Sequence, residues 1–241
     1  MLSKEEINRY SRHIILPEIG IEGQEKLKQA KVLVVGAGGL GCPVLLYLCA
    51  SGVGTIGIMD FDVVEEINLQ RQILFTQDDI GKSKAVMAGE RLSKMNSNCK
   101  LQIVNCKLTK ENAAEIISQY DFVVDGTDNF LAKYLLNDVC VILKKPLVFG
   151  SVYKFEGQVS VFNYHNGPTY RCLFPDPPPT ASFNCSDVGI MGILPGIIGT
   201  LQANEAIKII TGVGDVLSGK LIVFDALSLL FRIIEFQKVT F

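Results

Sequence analysis

The sequence predicts an α/β protein with a mostly parallel sheet, helices on both faces, and antiparallel strands added at the C-terminal end. Three observations predict it. Short apolar, β-branched runs alternate with helical segments through the first 150 residues, the pattern of a parallel sheet buried on both faces. The first run, 31–36, leads straight into Gly36-Ala37-Gly38-Gly39-Leu40-Gly41 and then an apolar helical stretch. That is the strand–turn–helix order of a Rossmann-like unit. After Gly150 the pattern changes to alternating, half-exposed strands.

The elements follow in order. Ser3-Lys4-Glu5-Glu6 is a capping box that opens a helix carrying Ile7, Tyr10 and Ile14 on one side, ended by Pro17. A short helix is expected over 22–30. Strands are expected at 31–36, 55–60, 101–106, 122–127 and 146–151, each β-branched or apolar. Helices fall between them at 43–51, 82–95, 111–119 and 129–143. A strand follows at 158–164, then a long loop over 165–191 with prolines at 175 and 177–179. Loops of this length in compact domains are usually functional or mobile. A helix over 196–211 and a strand pair at 220–225 and 229–236 complete the chain. No linker divides it, so residues 1–241 read as one domain: N-terminal helices over 1–30, a nucleotide-binding part over 31–150 and a remaining part over 151–241.

The 241 residues carry 23 Lys plus Arg against 25 Asp plus Glu, with 17 basic and 18 acidic in 1–150 and 6 and 7 thereafter. Neither part is a polycation, which argues against a nucleic-acid binder held by phosphate neutralisation. No apolar run reaches the roughly 18–20 residues needed to cross a bilayer, and the charged N-terminus has no signal-peptide core. The seven cysteines, at 42, 49, 99, 106, 140, 172 and 185, are odd in number and include no C-x-x-C. Reduced thiols in a cytoplasmic protein are the simplest reading.

The glycine motif carries the first functional inference. Gly36 permits a tight turn, Gly38 lets backbone approach a phosphate, and Gly41 allows close helix–strand packing. The helix N-terminus that follows offers free N–H groups to an anion. Asp60 ends the next strand, 19 residues after Gly41, where a carboxylate accepts hydrogen bonds from ribose hydroxyls. Asn68 follows, then Arg71, Lys82 and Lys84, more cations than a diphosphate needs; Arg71 supplies a planar fork and Lys84 a point charge. Asp128, in Asp125-Gly126-Thr127-Asp128-Asn129 at the end of the 122–127 strand, is aimed at the same crevice. A carboxylate beside a triphosphate suits Mg²⁺; the alternative is that Asp128 caps the next helix.

Together GAGGLG, DFDVVEEINLQRQ, GKSKA, DGTDN, YRCLFP and GTLQANEAIKII occur in one order over nearly the whole chain. The sequence resembles the ThiF/MoeB/HesA family, prokaryotic relatives of ubiquitin-activating enzymes. The resemblance implies adenylation of the C-terminal glycine of a small ubiquitin-like sulfur-carrier protein ending in Gly-Gly, with ATP and Mg²⁺, releasing pyrophosphate. A sulfur donor, a rhodanese or a desulfurase, then forms a thiocarboxylate, as in molybdopterin or thiamine-thiazole sulfur transfer. It implies that Gly36, Gly38, Gly39 and Gly41 form the phosphate loop, Asp60 holds the ribose, Asn68, Arg71 and Lys84 contact phosphates, and Asp128 binds Mg²⁺. It implies a homodimer in which Arg12 reaches the neighbouring subunit's site, and makes 151–241 the crossover-loop and carrier-binding part.

Cys185, in FNCSDVG, falls where the family often places a crossover-loop cysteine, and has two readings: a covalent link to the carrier or a free loop thiol. Many family members bind zinc through two C-x-x-C pairs. Here Thr169 stands at the partner position of Cys172 and no cysteine follows Cys185, so no zinc is expected. The carrier's docking face is expected near 150–164 and 219–236, with Tyr153, Phe155 and Phe162 as candidates and the protein core as their other reading. Two alternatives remain at this point. An NAD- or FAD-dependent oxidoreductase explains the glycine loop and Asp60 but leaves Arg71, Lys84 and Asp128 without a joint task. A non-catalytic protein-interaction module on the same fold is the other.

Overall fold

A computed structural model describes residues 1–177 and 189–239. Eight strands form one sheet in the order β3-β2-β1-β4-β5-β6-β7-β8. They are β1 (Lys31–Val35), β2 (Thr55–Met59), β3 (Lys100–Val104), β4 (Phe122–Asp125), β5 (Leu147–Tyr153), β6 (Glu156–Phe162), β7 (Lys220–Asp225) and β8 (Leu230–Glu235). The first five pair in parallel; the last three are added antiparallel. The expected α/β class and the change of pattern after Gly150 are both present.

The apolar runs are buried on both faces because successive strand side chains alternate sides. Val32 and Val34 of β1 pack into one core with α3 (Gly20–Gln29), α4 (Gly41–Ser51), α5 (Lys84–Met95) and α9 (Leu194–Thr211). Leu33 and Val35 pack into the other with α6 (Ala113–Ser118) and α7 (Phe130–Ile142).

Departures from the sequence reading have local causes. The single N-terminal helix is two, α1 (Lys4–Arg9) and α2 (Ser11–Ile14), broken at Tyr10. The Ser3 capping box forms as expected. Tyr10 is buried against Gly52, where a Cβ would lie 2.5 Å from its ring, and its hydroxyl accepts a hydrogen bond from Asn96 Nδ2 at 2.9 Å. Burying Tyr10 overrides continuation of the helix. Strand β5 runs two residues beyond expectation because it pairs with β6 from Leu147↔Phe162 to Tyr153↔Glu156, turning through Lys154 with φ 51°. The 165–191 loop contains a short helix, α8 (Tyr170–Leu173), whose N-cap Thr169 donates its backbone N–H to Cys172 Sγ at 3.4 Å.

That helix feeds an aromatic cluster. Tyr170 packs on Tyr134, Phe149, Phe162 and Phe174 with centroids 4.9–5.6 Å apart. Phe162 is fully buried there, so its place is the core, not a docking face; Tyr153 and Phe155 are exposed. The difference is measurable in urea unfolding followed by circular dichroism. Phe162→Ala is expected to cost about 3–5 kcal/mol, and Tyr153→Ala less than about 0.5 kcal/mol.

Candidate active site

The parallel register sets three loops side by side. Val35 pairs with Met59 on one flank and with Asp125 on the other. The residues just past these, Gly36, Asp60 and Gly126, therefore stand at one level at the carboxyl ends of β1, β2 and β4, the end where open α/β sheets bind ligands.

Two backbones meet there. Gly36 has φ +94°, and a Cβ on it would lie 2.6 Å from the Gly126 carbonyl oxygen. A Cβ on Gly126 would lie 2.7 Å from the Gly36 oxygen, and one on Gly41 1.8 Å from it. These glycines set the spacing of the first loop, the β4 turn and α4. At Gly39 a Cβ would lie 2.9 Å from Pro195, so its smallness also serves packing against α9. Gly38 differs: a Cβ there would meet nothing closer than Gln72 Nε2 at 3.5 Å. Helix α4 begins at once, with no side-chain cap at Leu40. Its first N–H groups are suited to an anion.

Asp60 ties the glycine loop to β2. One carboxylate oxygen accepts the Ala37 N–H at 2.7 Å and the other the Asp62 N–H at 2.8 Å. Burial pushes its carboxyl above the ordinary value, opposed by these two bonds and the Lys84 charge. Each oxygen retains acceptor capacity for a ribose hydroxyl.

The cations come from the next segment. Asn68 is buried at the end of a 3-10 turn, its side-chain oxygen accepting the Glu65 N–H at 3.2 Å. Arg71 follows, its Nη1 donating to the Ile67 carbonyl at 3.0 Å and its Cγ 3.7 Å from where a Gly39 Cβ would stand. Its stem therefore lies against the glycine loop. Lys84, first residue of α5, is only 6% exposed, and its Nζ donates to Asp62 Oδ2 at 3.1 Å. Lys82 is exposed.

Asp128 is exposed in the β4–α7 turn, with no hydrogen bond or ion pair to the other described residues. The helix cap belongs to its neighbour: Asn129 Oδ1 accepts the Ala132 N–H at 2.9 Å. That overturns the capping alternative for Asp128. Gln72 is a site residue that the sequence reading missed. It is buried beside Gly38, and its Oε1 has no hydrogen-bond partner among the described residues. A buried acceptor without a partner costs about 1–3 kcal/mol, and a bound ligand donor would relieve it. Only its position in Gln70-Arg71-Gln72 could have drawn notice.

Arg12 sits exposed on α2, which packs on α1 and α3; no hydrogen bond joins it to the glycine loop or the β4 turn. Cys185 lies outside the described residues. Cys172 is half-buried, and the N–H groups of Thr169 and Val239 donate to its sulfur at 3.4 Å each. Burial raises its thiol, but donors on Thr169 and Val239, with the Lys238 charge, outweigh that and hold it below the ordinary value. Among the described residues no three His, Cys, Asp or Glu side chains cluster to hold a metal.

The tips of β1, β2 and β4 thus present a helix N-terminus, two cations, a carboxylate tied to the glycine loop and, at Asp128, a carboxylate without a partner among the described residues. The crevice has room for a nucleoside triphosphate: Gly38 leaves space above the backbone, and the Gln72 Nε2 donor faces that space.

Comparison with known proteins agrees. The ThiF family profile matches residues 10–239. The chain belongs to the ThiF family. The sulfur carrier protein adenylyltransferase of Thermus thermophilus is 50% identical over 236 residues, covering 95% of this chain and 87% of that protein. A probable molybdopterin-synthase adenylyltransferase of Porphyra purpurea is 52% identical, covering 95% of this chain and 61% of that protein. The probable adenylyltransferase/sulfurtransferase MoeZ of Mycobacterium tuberculosis is 48% identical, covering 98% of this chain and 62% of that protein. The chain thus spans less than two thirds of the last two relatives. Among solved structures, E. coli MccB with MccA-N7isoASN superposes with TM-score 0.86 at 23% identity, covering 99% of this chain and 73% of that one. E. coli MccB with ATP gives 0.82 at 25% identity, covering 96% and 72%. These structures share the ThiF-family fold seen here.

Gln72→Leu separates ligand binding from folding at this ThiF-family site. It removes the orphaned acceptor, so the thermal midpoint is expected to hold or rise. Affinity for a non-hydrolysable ATP analogue, measured by calorimetry, is expected to fall about 10-fold, the size of one hydrogen bond to a charged or polar ligand group.

Proposed function

We propose that this protein is an adenylyltransferase that activates the C-terminal glycine of a ubiquitin-like sulfur carrier with ATP and Mg²⁺. What supports the reading is an Asp60 carboxylate tied to the Ala37 N–H, an Arg71 stem against Gly39 and a buried Lys84 held by Asp62, beside an uncapped helix N-terminus, with Asp128 in the neighbouring turn without a partner among the described residues. The names of its relatives support the carrier as partner.

The chemistry asks for position and charge. A carrier carboxylate oxygen bonds to the α-phosphorus while the bond from that phosphorus to the bridging oxygen breaks, and the electron pair leaves with pyrophosphate. Negative charge accumulates on the phosphate oxygens in the transition state, and preorganised cations stabilise it. Lys84 is held ready: it is buried, and Asp62 fixes its ammonium. Arg71 offers its guanidinium fork from a stem resting on the loop. Asp60 holds the ribose and so fixes the α-phosphate relative to α4. Bound Mg²⁺, held by Asp128 and phosphate oxygens, would neutralise the triphosphate charge. The oxidoreductase alternative gives Arg71, Lys84 and Asp128 no shared task.

The proposal extends to a homodimer in which Arg12 completes the neighbouring subunit's site, and to a rhodanese or desulfurase as sulfur donor. Cys185 keeps its two readings, a covalent link to the carrier or a free loop thiol, and a Cys185→Ala variant that still yields thiocarboxylate excludes the first. No described helix is long and apolar enough to cross a membrane. A cytosolic setting keeps the six described cysteines, all free, reduced. A molybdopterin-synthase carrier is the first to test, a thiazole-pathway carrier the second.

ATP–pyrophosphate exchange against a panel of Gly-Gly carriers tests the reading. Exchange is expected only with Mg²⁺ and a matching carrier. Asp128→Ala or Arg71→Ala is expected to lower it about 10²–10³-fold, the loss seen when one preorganised charge-stabilising group is removed. Absence of exchange with every carrier would overturn the assignment.

A further inference from the structure

A buried ion pair behind the Asp128 turn has no place in the mechanism above. Strands β4 and β5 pair at only two positions, Val123↔Leu147 and Val124↔Val148. Beyond them the strands part, and buried oxygens at Asp125, Val148 and Gly150 need donors. Two side chains supply these. Gln202 of α9 donates from Nε2 to the Asp125 carbonyl at 2.7 Å and the Val148 carbonyl at 3.3 Å. Lys133 of α7 donates from Nζ to Asp125 Oδ2 at 2.9 Å, the Thr127 carbonyl at 3.0 Å and the Gly150 carbonyl at 2.8 Å. Three donors meet three acceptors, so the ammonium is fully satisfied. Lys133 and Asp125 are both buried, and the ammonium lies 5.0 Å from the Phe149 ring centroid.

The pair grips one residue. Asp125 Oδ1 accepts both the Thr127 N–H at 2.9 Å and the Thr127 hydroxyl at 2.7 Å, while Lys133 holds the Thr127 carbonyl. The next residue is Asp128. The one after, Asn129, is fixed by its cap on α7. Asp128 therefore has a backbone clamped on both sides and a carboxylate without a partner among the described residues. Stability alone does not account for this device. A buried ion pair is often no more stabilising than apolar side chains of the same volume. What three directed bonds to Nζ add, and apolar packing cannot, is a set direction for the Thr127–Asp128 peptide.

We propose that Lys133, paired with Asp125, is a positioning residue that sets the Asp128 carboxylate for the metal-bound phosphates of the nucleotide. The inference rests on the adenylation reading for the identity of that ligand. Lys133 acts only through Thr127 and the turn. Partners that orient a metal-binding carboxylate typically change metal affinity by about 10–100-fold when removed.

The test uses the whole chain and a readout other than turnover. The double variant Asp125→Asn/Lys133→Met removes both charges at once and strands neither. Binding of α,β-methylene-ATP is measured in EDTA and with Mn²⁺, alongside Mn²⁺ electron paramagnetic resonance and the thermal midpoint. The ratio of the two affinities is the metal gain. The double variant is expected to bind in EDTA within about 3-fold of the unaltered protein but to lose about 10-fold of the metal gain. Lys133→Arg, which keeps the charge, is expected to recover it to within about 3-fold. If the double variant does not fold, Thr127→Ala serves; it keeps both charges, and about a 3-fold loss of the gain is expected from one lost hydrogen bond. An unchanged metal gain, or equal losses with and without metal, would overturn the proposal, as would an unaltered protein with no metal gain. An unaltered protein that shows the gain but exchanges pyrophosphate with no carrier overturns the adenylation reading instead, and Lys133 is then judged on the gain alone.

Discussion

The backbones of Gly36 and Gly126 touch, and neither position has room for a Cβ. Every functional distance in the crevice depends on that contact. It brings the turn after β1 against the turn after β4, so the glycine loop and the Asp128 turn share one wall. The parallel register carries the constraint outward: Val35 aligned with Met59 and Asp125 puts Asp60 and Gly126 level with Gly36. Asp60 then locks the arrangement by accepting the Ala37 N–H. Close-packed backbone deforms little, so the site is built before any ligand arrives.

Electrostatics follow the same logic. A cation waving in water loses much of its value to screening and to the entropy of being held. Lys84 avoids both costs because it is buried and already bonded to Asp62. Asp60 is buried too, and its raised carboxyl reflects the cost of a charge kept out of water. The Lys84 charge partly offsets that cost. Asp128 is the opposite case, solvated and without a partner among the described residues, as suits a group that shares its oxygens with an arriving cation. Behind it, Lys133 and Asp125 hold the turn.

Much of this was legible in the sequence because it is local. The strands announce themselves as β-branched runs, the glycine loop as a motif between strand and helix, and Asp60, Arg71 and Lys84 by position relative to that loop. What was not legible comes from contacts between distant segments. Tyr10 breaks its helix to pack against Gly52 and Asn96, a pairing that no window around residue 10 contains. Strand β5 outruns its apolar stretch because β6 pairs with it to Tyr153. Nothing local in the sequence marks Gln72 or Lys133; tertiary packing buries them. That Asn129 and not the expected alternative Asp128 caps α7 is a matter of one residue of register, finer than sequence periodicity resolves.

The account stands on the crevice at the tips of β1, β2 and β4 being the seat of a metal-bound nucleoside triphosphate. A crystal structure of the protein with α,β-methylene-ATP and Mg²⁺ tests that most directly. The account predicts ribose hydroxyls within hydrogen-bond distance of Asp60, phosphates against the start of α4 with Arg71 and Lys84 in contact, and the cation on Asp128. A nucleotide bound elsewhere, or one in the crevice with Asp60, Lys84 and Asp128 out of reach, would contradict it.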